Sequence, residues 1–225
     1  LLAISQSSKK EAINNLSLAD NKVLNIDSAC DKSIFDLKTE INTPVNFEAK
    51  MLGDFILYTG AGDPRKNLHR LIEAYSQLPV KLIIKHKLVL AGNMIPAEEE
   101  LIYRWIDDLS LPREYVDFLG YVSDEELCYL YRNCYLFVFP SLHEGFGLPV
   151  LEALNCGAAV IGSNVTSIPE IIGKKEALFN PYDVQDICDL IIKALEDKHF
   201  YNQLKLNAVE KSKSFSWDRT ALLAM

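Results

Sequence analysis

The sequence predicts an α/β fold, a doubly wound parallel sheet of the Rossmann-like kind. Two observations carry this. After residue 50, short apolar runs alternate with segments of helical periodicity, the pattern of successive βαβ units. The runs are bounded by glycine and turn residues, and right-handed crossovers between such units wind helices onto both faces of one sheet.

The expected strands are Phe55–Thr59, Leu88–Ala91, Val116–Leu119, Tyr135–Phe139, Ala159–Gly162 and Ala177–Phe179. The expected helices between and after them are Asn67–Leu78, Ala97–Leu109, Asp124–Arg132, Pro149–Asn155, Val184–Glu196 and Phe200–Lys213. Ser123 or Asp124 suits the cap of the third helix, and Asn67 that of the first. The first fifty residues read differently. A serine cluster at Ser5-Gln-Ser-Ser leads into a short amphipathic helix through Leu18, and Asn25–Glu48 is polar and aperiodic, as a linker would be. The organisation expected is therefore a preceding domain's tail plus linker over 1–50, a ligand-binding domain over 51–215, and the start of a helix over 216–225. The chain opens without methionine and reads as a piece of something longer.

Composition excludes some classes. Of 225 residues, 49% are hydrophobic and 24% charged, with a net charge of −8. That is a globular composition, and the acidic balance argues against a general nucleic-acid binder. No apolar run reaches membrane-spanning length, since Lys81 and Lys85 close off Leu82–Ile84. The five cysteines, at 30, 128, 134, 156 and 188, show no metal-ligand spacing. They read as buried thiols of a reducing cytoplasm.

Chemistry concentrates at strand ends. Tyr135–Phe139 empties into Pro140-Ser-Leu-His-Glu-Gly-Phe-Gly-Leu-Pro-Val-Leu-Glu152. Glu144 and Glu152 bracket a helix start marked by Pro149, which places Glu152 in the first helical turn. Gly145 and Gly147 free backbone N–H groups to face a ligand. Carboxylates accept from hydroxyls and a helix N-terminus accepts phosphate, so the mouth suits a molecule with both sugar and phosphate. At another strand end, Gly60-Ala-Gly62 precedes Asp63-Pro-Arg65-Lys66-Asn67. Arg65 and Lys66 suit a diphosphate, while the third glycine of a dinucleotide fingerprint is missing. A third loop, Gly120-Tyr121-Val122, offers a place for a flat base. There is no Asp-x-Asp, so nothing in the sequence argues for a carboxylate-held metal. The aromatics from Tyr129 to Tyr135 read as core.

The ordered series Asp63-Pro-Arg-Lys-Asn67, Leu119-Gly-Tyr-Val122, Glu144-Gly-Phe-Gly-Leu-Pro-Val-Leu-Glu152, Ser167-Ile-Pro-Glu-Ile-Ile-Gly173 and Phe215-Ser-Trp217 resembles family 4 glycosyltransferases. These are retaining enzymes of two Rossmann-like domains, and the likeness is to the carboxyl-terminal, donor-binding half. The resemblance implies a catalytic set of Glu144, Arg65 and Lys66. The two cations would hold the diphosphate and stabilise the leaving nucleotide, and Glu144 would face the transferred sugar. Gly60 and Gly62 would line the phosphate loop. Backbone groups of Gly145, Phe146, Gly147 and Leu148, with Val150 beside them, would hold sugar and phosphate. Glu152 would take the ribose, and Tyr121 and Val122 the base. No cofactor is implied beyond the donor itself, a nucleoside-diphosphate sugar, with GDP-mannose favoured over a UDP-sugar. Where many relatives carry arginine after the first glycine, this chain has Ala61-Gly62, which shifts phosphate binding onto Arg65 and Lys66. The acceptor-binding domain would be the missing partner, and any peripheral contact with a membrane would lie there. A non-catalytic nucleotide-sugar-binding subunit is the competing expectation. A dehydrogenase is disfavoured by the incomplete glycine fingerprint.

Overall fold

The structure, a computed structural model, describes residues 1–40, 54–60 and 62–225. The expected boundary near residue 50, the end of the linker and Ala61 lie outside the described residues.

Two elements of sheet form. A small parallel pair joins β1 (Leu2–Ala3) to β2 (Leu24–Asn25), with α1 (Gln6–Leu16) crossing between them. The main sheet contains β3 (Phe55–Thr59), β4 (Lys87–Ala91), β5 (Val116–Gly120), β6 (Leu136–Phe139), β7 (Val160–Ser163) and β8 (Leu178–Phe179). Its order is β5-β4-β3-β6-β7-β8, and every neighbouring pair is parallel. All residues of β3 and β6 are buried. Unbroken apolar runs such as Phe55-Ile-Leu-Tyr suit strands covered on both faces.

The covering helices are α2 (Leu68–Ser76), α3 (Val80–Lys85), α4 (Pro96–Asp108), α5 (Asp124–Asn133), α6 (Leu148–Asn155), α7 (Ile168–Ile172), α8 (Val184–Glu196), α9 (Lys198–Lys211) and α10 (Trp217–Ala224). In α2, Leu68, Leu71, Ile72 and Tyr75 are buried, a stripe at helical spacing turned to the sheet. Ser123 caps α5 in a capping box with Glu126. Asp183 caps α8 through the N–H groups of Gln185 and Asp186.

The expected strands and the longer helices form within two residues of where periodicity puts them. Two short helices go beyond expectation. The six-residue α3 was expected only as an apolar run, and the five-residue α7 only as a motif. Residues 28–39 have neither helix nor strand, yet they are packed. Phe35 stacks edge-on against Tyr131 at 6.2 Å, and Arg132 donates to the carbonyls of Thr39 and Asp36. This strap covers α5, and its Cys30 and Phe35 belong to the main core.

Asn67 departs from its expected role. It holds the N-cap position of α2 in a left-handed conformation (φ 58°), but its side chain does not cap. Its buried amide instead donates to the carbonyls of Pro140 at 3.0 Å and Pro181 at 2.8 Å. Buried carbonyls without a partner are costly, and this one amide satisfies two of them. It ties the start of α2 to the loops after β6 and β8.

Candidate functional site

The chain runs from β3 outward through β4 and β5, then returns to the other side of β3 for β6, β7 and β8. A doubly wound sheet binds ligands at such a reversal, outside the carboxyl ends of its strands. A cleft of about 380 Å³ opens there. Thr59, Gly60 and Lys66 wall it from β3 and its loop, Gly92 and Asn93 from the β4 end, Tyr121, Val122 and Asp124 from the β5 end, and Pro149 and Glu152 from α6.

Backbones meet closely at its floor. Gly60 donates to Ala91 O, and Gly92 to Gly120 O, both at 2.9 Å. A Cβ on Gly92 would lie 2.0 Å from Gly60 O, so only glycine fits this crossing. Gly147, at φ 109°, opens α6, whose first N–H groups have no intrahelical partner.

Lys66 reaches across to Glu144, Nζ to Oε1 at 2.7 Å, with the two side chains 26% and 15% exposed. The ammonium also stands 5.3 Å from the Phe139 ring centre. Two expected site residues from separate strand ends are thus joined in one half-buried ion pair. Arg65 goes elsewhere. Its guanidinium grips Asp63, 2.7 Å from Nη2 to Oδ2, and is 70% exposed. Asp63 also accepts from the Arg65 N–H, and these bonds hold its carboxyl below the usual range. Gly62 and Asp63 face a separate hollow of about 340 Å³ with His69, Arg70 and Trp105.

Glu152 is the most perturbed acid. Burial pushes its carboxyl up to about 7, a hydrogen bond from the Tyr131 hydroxyl pulls it down, and Asp124 adds a small upward push. The Tyr131 hydroxyl lies 3.3 Å from Glu152 Oε2 and 3.3 Å from Thr59 Oγ1. Helix α6 begins at Leu148, with Pro149 second. Glu152 therefore sits in the second turn, not the first as expected, because Gly147 takes the cap. It looks into the cleft from the helix flank, beyond the reach of the terminal dipole, which fades within the first turn.

The remaining expected residues divide. Tyr121 is 78% exposed at the rim, with Val122 below it. Gly145 and Leu148 border the turn into α6. Phe146 faces the core, its ring 5.6 Å from that of Phe215, and Val150 is fully buried with its N–H spent on Gly147 O. These two can contribute backbone or packing only. Tyr131, Thr59, Gly92 and Asn93 were not expected. Tyr131 was read as core, and it is fully buried; only its hydroxyl reaches the site. Among the described residues no group of three His, Cys, Asp or Glu could hold a metal. All five cysteines are buried free thiols, and Cys128 and Cys156, distant in sequence, bring their sulfurs to 3.4 Å.

Residues 44–211 match the family model described as "Glycosyl transferases group 1", and the chain belongs to this family of transferases. It is 45% identical over 227 residues to the serotype-specific mannosyltransferase WbdA of Escherichia coli, covering 100% of this chain and 28% of that protein. It is 32% identical over 220 residues to O-antigen chain mannosyltransferase B of Escherichia coli, covering 97% of this chain and 57% of that protein. Among solved structures, sucrose-phosphate synthase from Thermosynechococcus elongatus superposes with a TM-score of 0.82 at 25% identity, over 99% of this chain and 56% of that one. The chain thus spans 28% and 57% of the two curated relatives' lengths.

Proposed function

We propose that the chain is the donor-binding half of a retaining mannosyltransferase that uses a nucleoside-diphosphate sugar, GDP-mannose before a UDP-sugar, to extend a surface polysaccharide. The observation that carries the reading is the Lys66–Glu144 pair at the mouth of the cleft, in a chain 45% identical along its whole length to a mannosyltransferase. A binding-only subunit gains nothing from relatives that are named as transferases.

The chemistry follows from charge. A bound diphosphate brings negative charge to Lys66 and to the N-terminus of α6, both of which favour it. Glu144, released from Lys66, accepts from hydroxyls of the sugar. When the bond from the anomeric carbon to phosphate oxygen breaks, its electron pair leaves with the nucleoside diphosphate. Lys66 stabilises that growing charge, an effect strongest in a site shielded from water. The acceptor hydroxyl then bonds to the anomeric carbon from the face the phosphate left, and its proton passes to an oxygen of the departing phosphate. Glu152 accepts from the ribose hydroxyls, with Tyr131 fixing its carboxylate. Tyr121 and Val122 flank the base. Arg65 serves this reading only by letting go of Asp63 and turning to the phosphates.

We assign the acceptor and its linkage to the part of the protein outside this chain. That part would also make any contact with the inner face of a membrane. A cytoplasmic setting agrees with five free thiols. No helix among the described residues is long and apolar enough to cross a membrane. The test is a thermal-shift panel of GDP, GDP-mannose, UDP-glucose, UDP-N-acetylglucosamine and ADP-glucose. GDP-mannose and GDP should give the largest rise in Tm; no rise with any of them overturns the donor site.

A further inference from the structure

The loop from Glu144 to Gly147 carries two glycines, so its peptide planes can rotate at little steric cost. It is nevertheless held from two sides. The Ser5 and Ser8 hydroxyls both lie 2.7 Å from Gly145 O and 3.0 Å from each other, so the one Ser5 proton is shared between that carbonyl and Ser8 Oγ. From the turn before α7, Ser167 Oγ lies 3.0 Å from Glu144 O and 2.6 Å from Phe146 O, and Thr166 Oγ1 accepts from Glu144 N at 3.2 Å. Ser5 and Ser167 are both essentially buried. Gly145 O is thus met by two serine hydroxyls, and the single Ser167 proton is shared between Glu144 O and Phe146 O, the shorter contact being to Phe146 O.

In a planar trans peptide, a carbonyl and the following N–H point in opposite directions. Fixing the carbonyls of residues 144, 145 and 146 therefore fixes the N–H groups of Gly145, Phe146 and Gly147. A flipped plane would present a carbonyl oxygen where an N–H should meet an anion or a sugar hydroxyl, turning attraction into repulsion. The start of α1 is itself anchored, because Glu170 of α7 accepts from the N–H groups of Gln6 at 2.9 Å and Ser7 at 2.8 Å. The Ser167-to-Glu170 stretch thereby holds the loop directly and, through α1, indirectly.

We propose that Ser5 and Ser8 are positioning residues for donor binding. They act through the Gly145 carbonyl to keep the 145–147 amides presented to the donor, with Glu170 seating the helix that carries them. The inference rests on the donor-site reading above. Capping alone does not account for the arrangement. Ser5 caps α1 by accepting from Ser8 N at 2.9 Å, whereas the Ser8 hydroxyl has no such duty and still points to Gly145.

The experiment uses the full-length protein and reads Kd for GDP-mannose, KM, kcat and Tm together. Ser8→Ala should hold or raise Tm, since alanine is the better helix former, while Kd and KM rise roughly three- to tenfold, the scale of one lost hydrogen bond. Ser8→Thr should restore both. Ser5→Gly with Ser8→Ala should rise at least as far, with little loss of helix stability because glycine is a tolerable cap. If the double variant binds donor like the wild type, the proposal is overturned. It is also overturned if weaker binding follows a falling Tm and Ser8→Thr fails to restore it. Should the wild type itself bind no nucleotide sugar, the donor reading fails first and takes this inference with it.

Discussion

At the scale of single residues, burial and pairing set the outcomes. Glu152 takes up protons more tightly folded, with its carboxyl near 7, than unfolded at its ordinary value. Between those two values the native state holds more protons, so this group's contribution to stability falls as pH rises. Glu152→Gln should therefore raise stability at pH 8 by about 1–3 kcal/mol, with the gain gone below pH ~4.5; urea melts across pH check this. On the donor-site reading, ribose hydroxyls prefer a carboxylate, so GDP binding to the wild type should tighten from pH 6 to 8, and in Glu152→Gln it should be weak and flat. Lys66→Ala strands a half-buried Glu144 and should cost about 1–2 kcal/mol. It should also weaken GDP binding, most strongly at low salt. Arg65→Ala breaks only an exposed pair and should leave the melting curve unmoved. His86 is fully buried, and neither ring nitrogen has a partner among the described residues. Burial and Lys85 hold its pKa down, so stability drains as pH falls below the ordinary histidine value. His86→Leu should flatten that acid limb.

At the scale of elements, the crossing of the β3 and β4 ends is the least forgiving place. Gly92→Ala would drive a methyl against Gly60 O, 2.0 Å away, from a backbone at φ 153° that other residues rarely adopt. A loss of about 3 kcal/mol or more, read by denaturant midpoint, is the expected result. Strands were legible here because unbroken apolar runs bounded by glycine have few other uses in a chain of this length. Helices α3 and α7 were not, because five or six residues complete too few turns to show a period. Of the site, the Glu144–Glu152 loop and Lys66 stood out through residue type and spacing. Tyr131 stayed hidden, since a tyrosine on an apolar helix face looks like packing whether or not its hydroxyl meets an acid. Asn67 misled for a related reason. Its type promised a local cap, and only tertiary contacts reveal the two proline carbonyls it serves instead.

At the scale of the whole molecule, ligand and fold share one free energy. On the donor-site reading, GDP at a hundredfold excess over Kd should add about 2.7 kcal/mol, a rise in Tm of roughly 5–10 °C for a chain of this size. The rise should appear without added metal and shrink with salt. The reversal of the strand order also has a consequence for descent. One bank of the cleft comes from the β4 and β5 ends, with Asn93, Tyr121, Val122 and Asp124. The opposite bank is Pro149 and Glu152 of α6, the helix that follows the Glu144 loop fastened to the starts of α1 and α7. Nucleobase and hexose would then be read by separate cassettes on either side of β3. On the donor-site reading, a hybrid that exchanges only residues 120–124 should change the base accepted and keep the sugar, which would let lineages of such enzymes exchange one nucleotide for another while keeping their hexose.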